Sequence, residues 1–283
     1  MRRTAVVLCL FLVGALSIVA AGLASHSGSG AGGATDLTSL YPDLRTVVPQ
    51  HLNLVNEQKR DLLRFSNGIA NAGGGPWGMR PDPPLEQATS FTTAIQEIRS
   101  NDAFYRCGEQ PKQETACHEV LREYPTSRFE FHAAHNHWHM GDVALFEVRK
   151  GSPTGAVVGG NSIKTTFCLI DVYKLEGNAS TPERLFWDCY KGHQGIAAGW
   201  VDQYHQATSG QEVDLTGEPN GTDYYLVSTV NAERVFLEQN YANNTAWVRF
   251  TLSQGSNGNR KVAVTGNSPC ETPGLCGANT ANR

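Results

Sequence analysis

The chain has 283 residues, 40% hydrophobic and 18% charged, with a formal charge of −4. That composition suits one large globular domain or two small ones and excludes a disordered or fibrous chain. No basic run is present, which argues against a nucleic-acid partner.

The N-terminus opens with Met1, Arg2 and Arg3 and then runs apolar from Ala5 to Ala24. A basic start, an apolar stretch and small residues at its end predict a secretory signal over 1–24. An uncleaved anchor is the alternative, since the run is long enough to span a bilayer. With the signal removed, the net charge becomes about −6, a mild acidic excess compatible with a cationic substrate. Residues 25–36 are rich in Gly and Ser and read as a disordered linker. No later stretch is apolar enough to cross a membrane, so no membrane contact is expected after cleavage.

Most of the remaining chain reads as strand. "DVALFEV" is apolar on both faces through Val143, Ala144, Leu145, Phe146 and Val148, as a central strand requires. "IKTTFCLIDV" and "DYYLVSTV" are rich in β-branched and aromatic residues. "TAWVRFTL" alternates, with Ala246, Val248, Phe250 and Leu252 on one face. Gly- and Asn-rich turns separate these runs. A helix is expected over "PLEQATSFTTAIQEI", opened after the prolines. The fold class is therefore mainly β, an antiparallel sandwich with few short helices and long loops. A catalytic-sized domain is expected over 37–258, followed by a frayed, disulfide-containing tail over 259–283.

Cysteine usage agrees with export. Cys9 lies in the signal, which leaves Cys107, Cys117, Cys168, Cys189, Cys270 and Cys276. Nearest-neighbour pairing gives Cys107–Cys117, Cys168–Cys189 and Cys270–Cys276, one of 15 connectivities. A zinc–cysteine site would be the alternative, but there is no CxxC pair.

The most informative segment is "HNHWHM". Its His135, His137 and His139 alternate with Asn136 and Trp138, so on a strand the three rings share a face. Three convergent imidazoles suit copper or zinc and leave a coordination position open. Buried together without metal, they would repel when protonated and lack partners when not. A solvated polar face is the bland alternative. His132 precedes the trio and need not share its face.

The stretch "FEFHAAHNHWHMGDVALFEV" resembles the copper segment of the lysyl oxidase family. "IKTTFCLID" resembles the family segment that carries the cofactor lysine, here Lys164. "HQGIAAGWVDQYHQ" resembles the segment that carries the cofactor tyrosine, here Tyr204. The order of these blocks and the positions of Cys168 and Cys189 also fit. The resemblance implies copper on His135, His137 and His139 and a lysyl tyrosylquinone built from Lys164 and Tyr204. It also implies Asp202 as a candidate general base, whose alternative role is to brace its loop. The implied activity is oxidation of primary amines, peptidyl lysine or small amines, by molecular oxygen, with release of an aldehyde, ammonia and hydrogen peroxide outside the cell. "LEQNYANN" and "YPDL" resemble family segments that supply calcium ligands, here Asp43, the Leu44 carbonyl, Glu238, Asn240, Asn243 and Asn244. Asn240 stands where an acid is expected, and an Asn-rich turn is the alternative reading. Two cysteines found in other members are replaced here by Ala134 and Trp200, so fewer bridges pin the cofactor loop.

Three rivals remain open. One is a non-catalytic secreted copper- or zinc-binding sandwich, and another is a zinc hydrolase. The third is a topaquinone oxidase, for which "NYAN" around Tyr241 lacks the needed acid.

Overall fold

The computed structural model describes residues 41–99, 120–133, 135–175, 184–190, 192–256 and 258–277, with only the backbone described over 161–165. They belong to the unit Asp36–Arg283. The signal over 1–24, the linker over 25–36 and the Cys107–Cys117 pairing lie outside the described residues, as does the side chain of Lys164.

Two antiparallel sheets make a sandwich. In the smaller sheet, β3 (Arg60–Asn71) is central. It pairs with β1 (Leu44–Thr46), β2 (Gln50–Glu57), β11 (Trp200–Tyr204) and β12 (Glu212–Asp214), and β9 (Tyr173–Lys174) joins β11. The larger sheet runs β10 (Gln194–Ile196), β4 (Trp77–Asp82), β5 (Phe91–Arg99), β6 (Val120–His132), β7 (His137–Lys150), β13 (Gly221–Val230), β14 (Thr245–Gln254) and β15 (Arg260–Asn267). The remaining strand, β8 (Ala156–Phe167), also pairs with β7.

The central strand predicted from "DVALFEV" is β7, which pairs with β6, β8 and β13. Its inner residues Val143, Ala144, Phe146 and Val148 are buried. In β14 the alternation predicted for Ala246, Val248, Phe250 and Leu252 is what the sandwich buries. The sheets meet through Phe65 of β3 and Phe146 of β7, whose rings pack edge-to-face at 4.9 Å. Phe167 of β8 continues this aromatic file towards Tyr204 of β11, with ring centroids 4.5 Å apart.

Two expectations need correction. No helix forms over "PLEQATSFTTAIQEI": Leu85–Gln87 make a single 3₁₀ turn, and Phe91–Arg99 are strand β5. Thr92, Thr93 and Ile95 are β-branched and lose side-chain freedom in a helix. As a strand, the segment gains ladders on both edges, to β4 and β6. Nor is the tail frayed directly after 258. Residues Arg260–Asn267 form an edge strand on β14, and Leu275 is buried beside Val47 and Val201.

Disulfides join Cys168 to Cys189 and Cys270 to Cys276, as nearest-neighbour pairing predicted. Among the described residues no helix is long and apolar enough to cross a membrane.

Phe146 lies at the contact between the sheets, so truncating it leaves a cavity at the centre. Phe146→Ala should lower stability by about 3–5 kcal/mol, read as a fall in the urea midpoint with an unchanged slope.

Candidate metal centre and tyrosine site

β6 and β7 pair as an antiparallel hairpin, with His132 opposite His137. His137 and His139 share a face of β7, as alternation predicts. His135 does not belong to the strand. It sits in the turn, where its N–H donates to the His132 carbonyl at 3.0 Å. Asn136 takes a left-handed backbone (φ 56°), a conformation Asn tolerates. The convergence of the three rings therefore comes from a tight turn as well as from the pleat.

His139 Nε2 lies 3.0 Å from His137 Nε2 and 3.3 Å from His135 Nδ1. Two nitrogens held about 2.0 Å from one ion stand about 2.8–3.3 Å apart at ordinary coordination angles. Each of these two spacings fits a pair of ligands on one ion, and the histidine set whose ligand atoms all lie within 4.8 Å of one another is His132, His135 and His139. His139 Nδ1 is 3.0 Å from Thr166 Oγ1 on β8. With Nδ1–H donating there, Nε2 keeps its lone pair for an ion.

The surroundings also keep the rings neutral, as metal ligands must be. Burial, then the neighbouring rings, pushes His139 from 6.5 down to about 3. Burial also lowers His137 and His135.

His132 is a member of this cluster that alternation on β7 misses. Its ring stacks on His135 and His139, with centroids at 4.4 and 4.7 Å. Its Nδ1 is buried without a hydrogen-bond partner, and its ligand atom falls within 4.8 Å of those of His135 and His139. The only sequence signal for it is the hairpin, which brings His132 opposite His137.

Tyr204 ends β11. Its hydroxyl accepts from the Cys168 N–H at 2.5 Å and donates to the Cys168 carbonyl at 3.1 Å. Cys168 in turn is bonded to Cys189, and the two sulfurs lie within 4.8 Å of a His137 ring nitrogen. The phenol is thus linked to the histidine face through one residue. Asp202 is also on β11, so it shares the Tyr204 face, and it is 2% exposed. Burial, followed by the Asp202 charge, raises the Tyr204 hydroxyl well above its ordinary pKa. Lys164 stands on β8 opposite Leu145 of β7. It precedes Cys168 by roughly 13 Å of extended chain.

Two buried polar residues that the motifs do not assign a role hold these segments together. Gln194 donates to the Trp138 carbonyl at 2.7 Å and accepts from the Leu169 N–H at 3.2 Å. Asp171 accepts from the N–H groups of Leu185, Phe186 and Ala197. Burial nevertheless pushes its pKa up to about 7.

On the far side of β1, most of the predicted calcium residues meet. Glu238 accepts from the Leu44 N–H at 3.0 Å, and from Asn244 and Asn231. Asn243 donates to both Asp43 oxygens. The Oδ1 atoms of Asn243 and Asn244 are buried without hydrogen-bond partners. Burial and, more weakly, Asp43 raise the Glu238 pKa. Asn240 is exposed and accepts from the Ala242 N–H of its own turn.

The Lysyl oxidase family model matches residues 109–260 of this chain, more than half its length. No curated protein matches it.

In the metal-free protein, His139 is neutral in the fold but binds a proton below 6.5 once unfolded. Its contribution to stability is therefore complete above pH 6.5 and is lost progressively as the pH falls towards 3. Melting of the metal-free protein across this window should show that decline, and His139→Gln should flatten it.

Proposed function

Because the chain belongs to the lysyl oxidase family, we propose that it is a secreted copper amine oxidase with a lysyl tyrosylquinone cofactor made from its own Lys164 and Tyr204. Members of this family are copper-dependent oxidoreductases that act on amines with dioxygen. The expected substrate is a primary amine, peptidyl lysine first among them, and the expected products are an aldehyde, ammonia and hydrogen peroxide.

One observation carries the reading. The Tyr204 hydroxyl is held on the backbone of Cys168, and the sulfur of that residue lies beside His137. A phenol and a three-imidazole cluster are thereby brought to one locality by elements far apart in the chain.

His135, His137 and His139 would hold the copper, whose role when bound is to activate dioxygen and oxidise the nearby phenol. The quinone would supply the two-electron acceptor that no ordinary side chain offers. The remaining work belongs to residues of the chain. Thr166 fixes the tautomer and tilt of His139. Phe167 packs edge-on to the Tyr204 ring and limits its rotation. The Cys168 N–H and carbonyl hold the phenol oxygen until oxidation begins. Lys164 must lose its proton before its amine can add to an oxidised ring. Asp202, buried on the Tyr204 face, is the group to take a proton from the substrate carbon that bears nitrogen. Secretion fits the two described disulfides.

The cluster around Glu238 supports a second, structural cation. Two carboxylates and two orphaned amide oxygens are hard donors of the kind calcium takes. With Asn240 turned to its own loop, the calcium set is Asp43, Leu44, Glu238, Asn243 and Asn244.

Copper loading of the full chain in air should give a coloured protein that stains for quinone, and a peptide map should contain a Lys164–Tyr204 cross-link. Tyr204→Phe should bind copper normally yet lack the colour, the cross-link and peroxide release from an amine. Fully metallated wild type without the cross-link would instead support the non-catalytic metal-binding sandwich.

Calcium at a hundredfold excess over its Kd should stabilise the protein by about 2.7 kcal/mol. Glu238→Gln should lose most of that rise in melting temperature, while copper binding remains.

A further inference from the structure

We propose a third metal site, a Cys2His set of Cys168, Cys189 and His137, which exists only while the Cys168–Cys189 bond is open and which takes Cu(I). The two sulfurs and a ring nitrogen of His137 all lie within 4.8 Å of one another. An ion about 2.3 Å from each sulfur and about 2.0 Å from nitrogen requires donors roughly 3.5–3.8 Å apart. Breaking the bond and turning the two cysteine side chains apart brings the sulfurs to that spacing. Thiolates combined with an imidazole are a soft donor set, which favours Cu(I) over the hard cations.

The backbones of both cysteines are held by contacts other than the bond between them. The Trp138 N–H donates to the Cys189 carbonyl at 3.4 Å. Gln194 ties the Trp138 carbonyl to the Leu169 N–H. Tyr204 grips the backbone of Cys168. With the disulfide open, these contacts keep both thiols next to His137. Cys168 and Cys189 are buried, so the site is sheltered from competing solvent ligands. Tyr190, exposed and edge-on to the His137 ring at 5.7 Å, marks its solvent side.

His137 belongs both to this set and to the histidine trio, so one ion cannot satisfy the two in full. Closing the bond then hands the ion over. Two thiolates give up two electrons and form one S–S bond. Dioxygen takes those electrons with two protons and leaves as hydrogen peroxide, and the one electron given up as Cu(I) becomes Cu(II) goes to a further half-equivalent of dioxygen. The sulfurs lose their donor lone pairs to weak disulfide ligation, and His137 retains His135 and His139 as partners. The soft site stands on the sulfur–imidazole geometry, whereas the handover rests on the reading of the trio as the copper site.

The test uses the full chain with Cys9, Cys107, Cys117, Cys270 and Cys276 changed to Ser, leaving this pair. It is reduced with a phosphine under argon, freed of reductant and loaded with one equivalent of Cu(I). X-ray absorption at the copper edge should find two sulfurs and one nitrogen around the ion. After exposure to air, only nitrogen and oxygen neighbours should remain. His137→Ala in the dithiol form should remove the nitrogen neighbour and weaken copper retention against a competing chelator at least tenfold. Wild type with all pairs reduced, measured in parallel, guards against misfolding of the Ser background. Absence of sulfur neighbours, indifference to His137→Ala or loss of the native near-ultraviolet dichroism on reduction each overturns the proposal. Nitrogen hyperfine lines from the air-oxidised Cu(II) protein read the trio separately. Failure of the soft site and failure of the amine-oxidase reading are therefore told apart.

Discussion

The Tyr204 hydroxyl accepts from the N–H of Cys168 and donates to its carbonyl, and the rest of the candidate site is arranged around that clamp. Each such bond adds only about 0.5–1.5 kcal/mol net, but breaking one in a buried setting strands a polar group at about 1–3 kcal/mol. The larger effect is positional. Cys168 lies just past β8, at the point where the chain leaves the larger sheet, and Tyr204 ends a strand of the smaller one. The clamp therefore ties the two layers together at one edge of the sandwich. The disulfide then extends the tie to Cys189, and Trp138 and Gln194 extend it to the histidine strand.

This arrangement explains how the buried polar groups beside the candidate site find their partners. Asp171 gathers three backbone N–H groups from segments with no regular ladder of their own. Gln194 does the same for two backbone groups. Buried backbone donors and acceptors must be paired somewhere. Here side chains supply the partners that a sheet would otherwise provide. Cys168, Asp171, Gln194 and Ala197 can thus stay buried while a disulfide, a histidine and a phenol are held close to each other.

Neutral histidines, a protonated phenol and a shielded carboxylate follow from the same burial. His139 is held far below its ordinary pKa and Tyr204 far above its own. In both cases the uncharged form is the one the chemistry needs at rest: a lone pair for metal on the one side, an intact phenol on the other. The Glu238 cluster has the opposite character. Its carboxylates are in hydrogen-bonding contact with amide groups, and its orphaned oxygens suit a hard cation. The protein thereby separates a nitrogen- and sulfur-rich locality from an oxygen-rich one.

Much of this was legible in the residue order, and the limits of that reading have physical causes. Alternation of apolar residues marked β14 and the central β7, because period-two patterning is local. The spacing of histidines pointed to a metal cluster, and cysteine proximity gave both described disulfides. The same local reasoning failed at Phe91–Arg99, where the opening prolines suggested a helix. Ladders to β4 and β6 outweighed that pattern, and neither partner is visible within the segment itself. It also left open whether His132 shares the trio's face, and it placed His135 on the strand when a turn carries it. Candidate ligands and the class of fold are thus written in short-range pattern. Which donors meet, and at what distance, depends on contacts between residues far apart in the chain, such as Tyr204 with Cys168 or Glu238 with Leu44. Those contacts exist only once the sheets have closed, so the folded chain alone decides them.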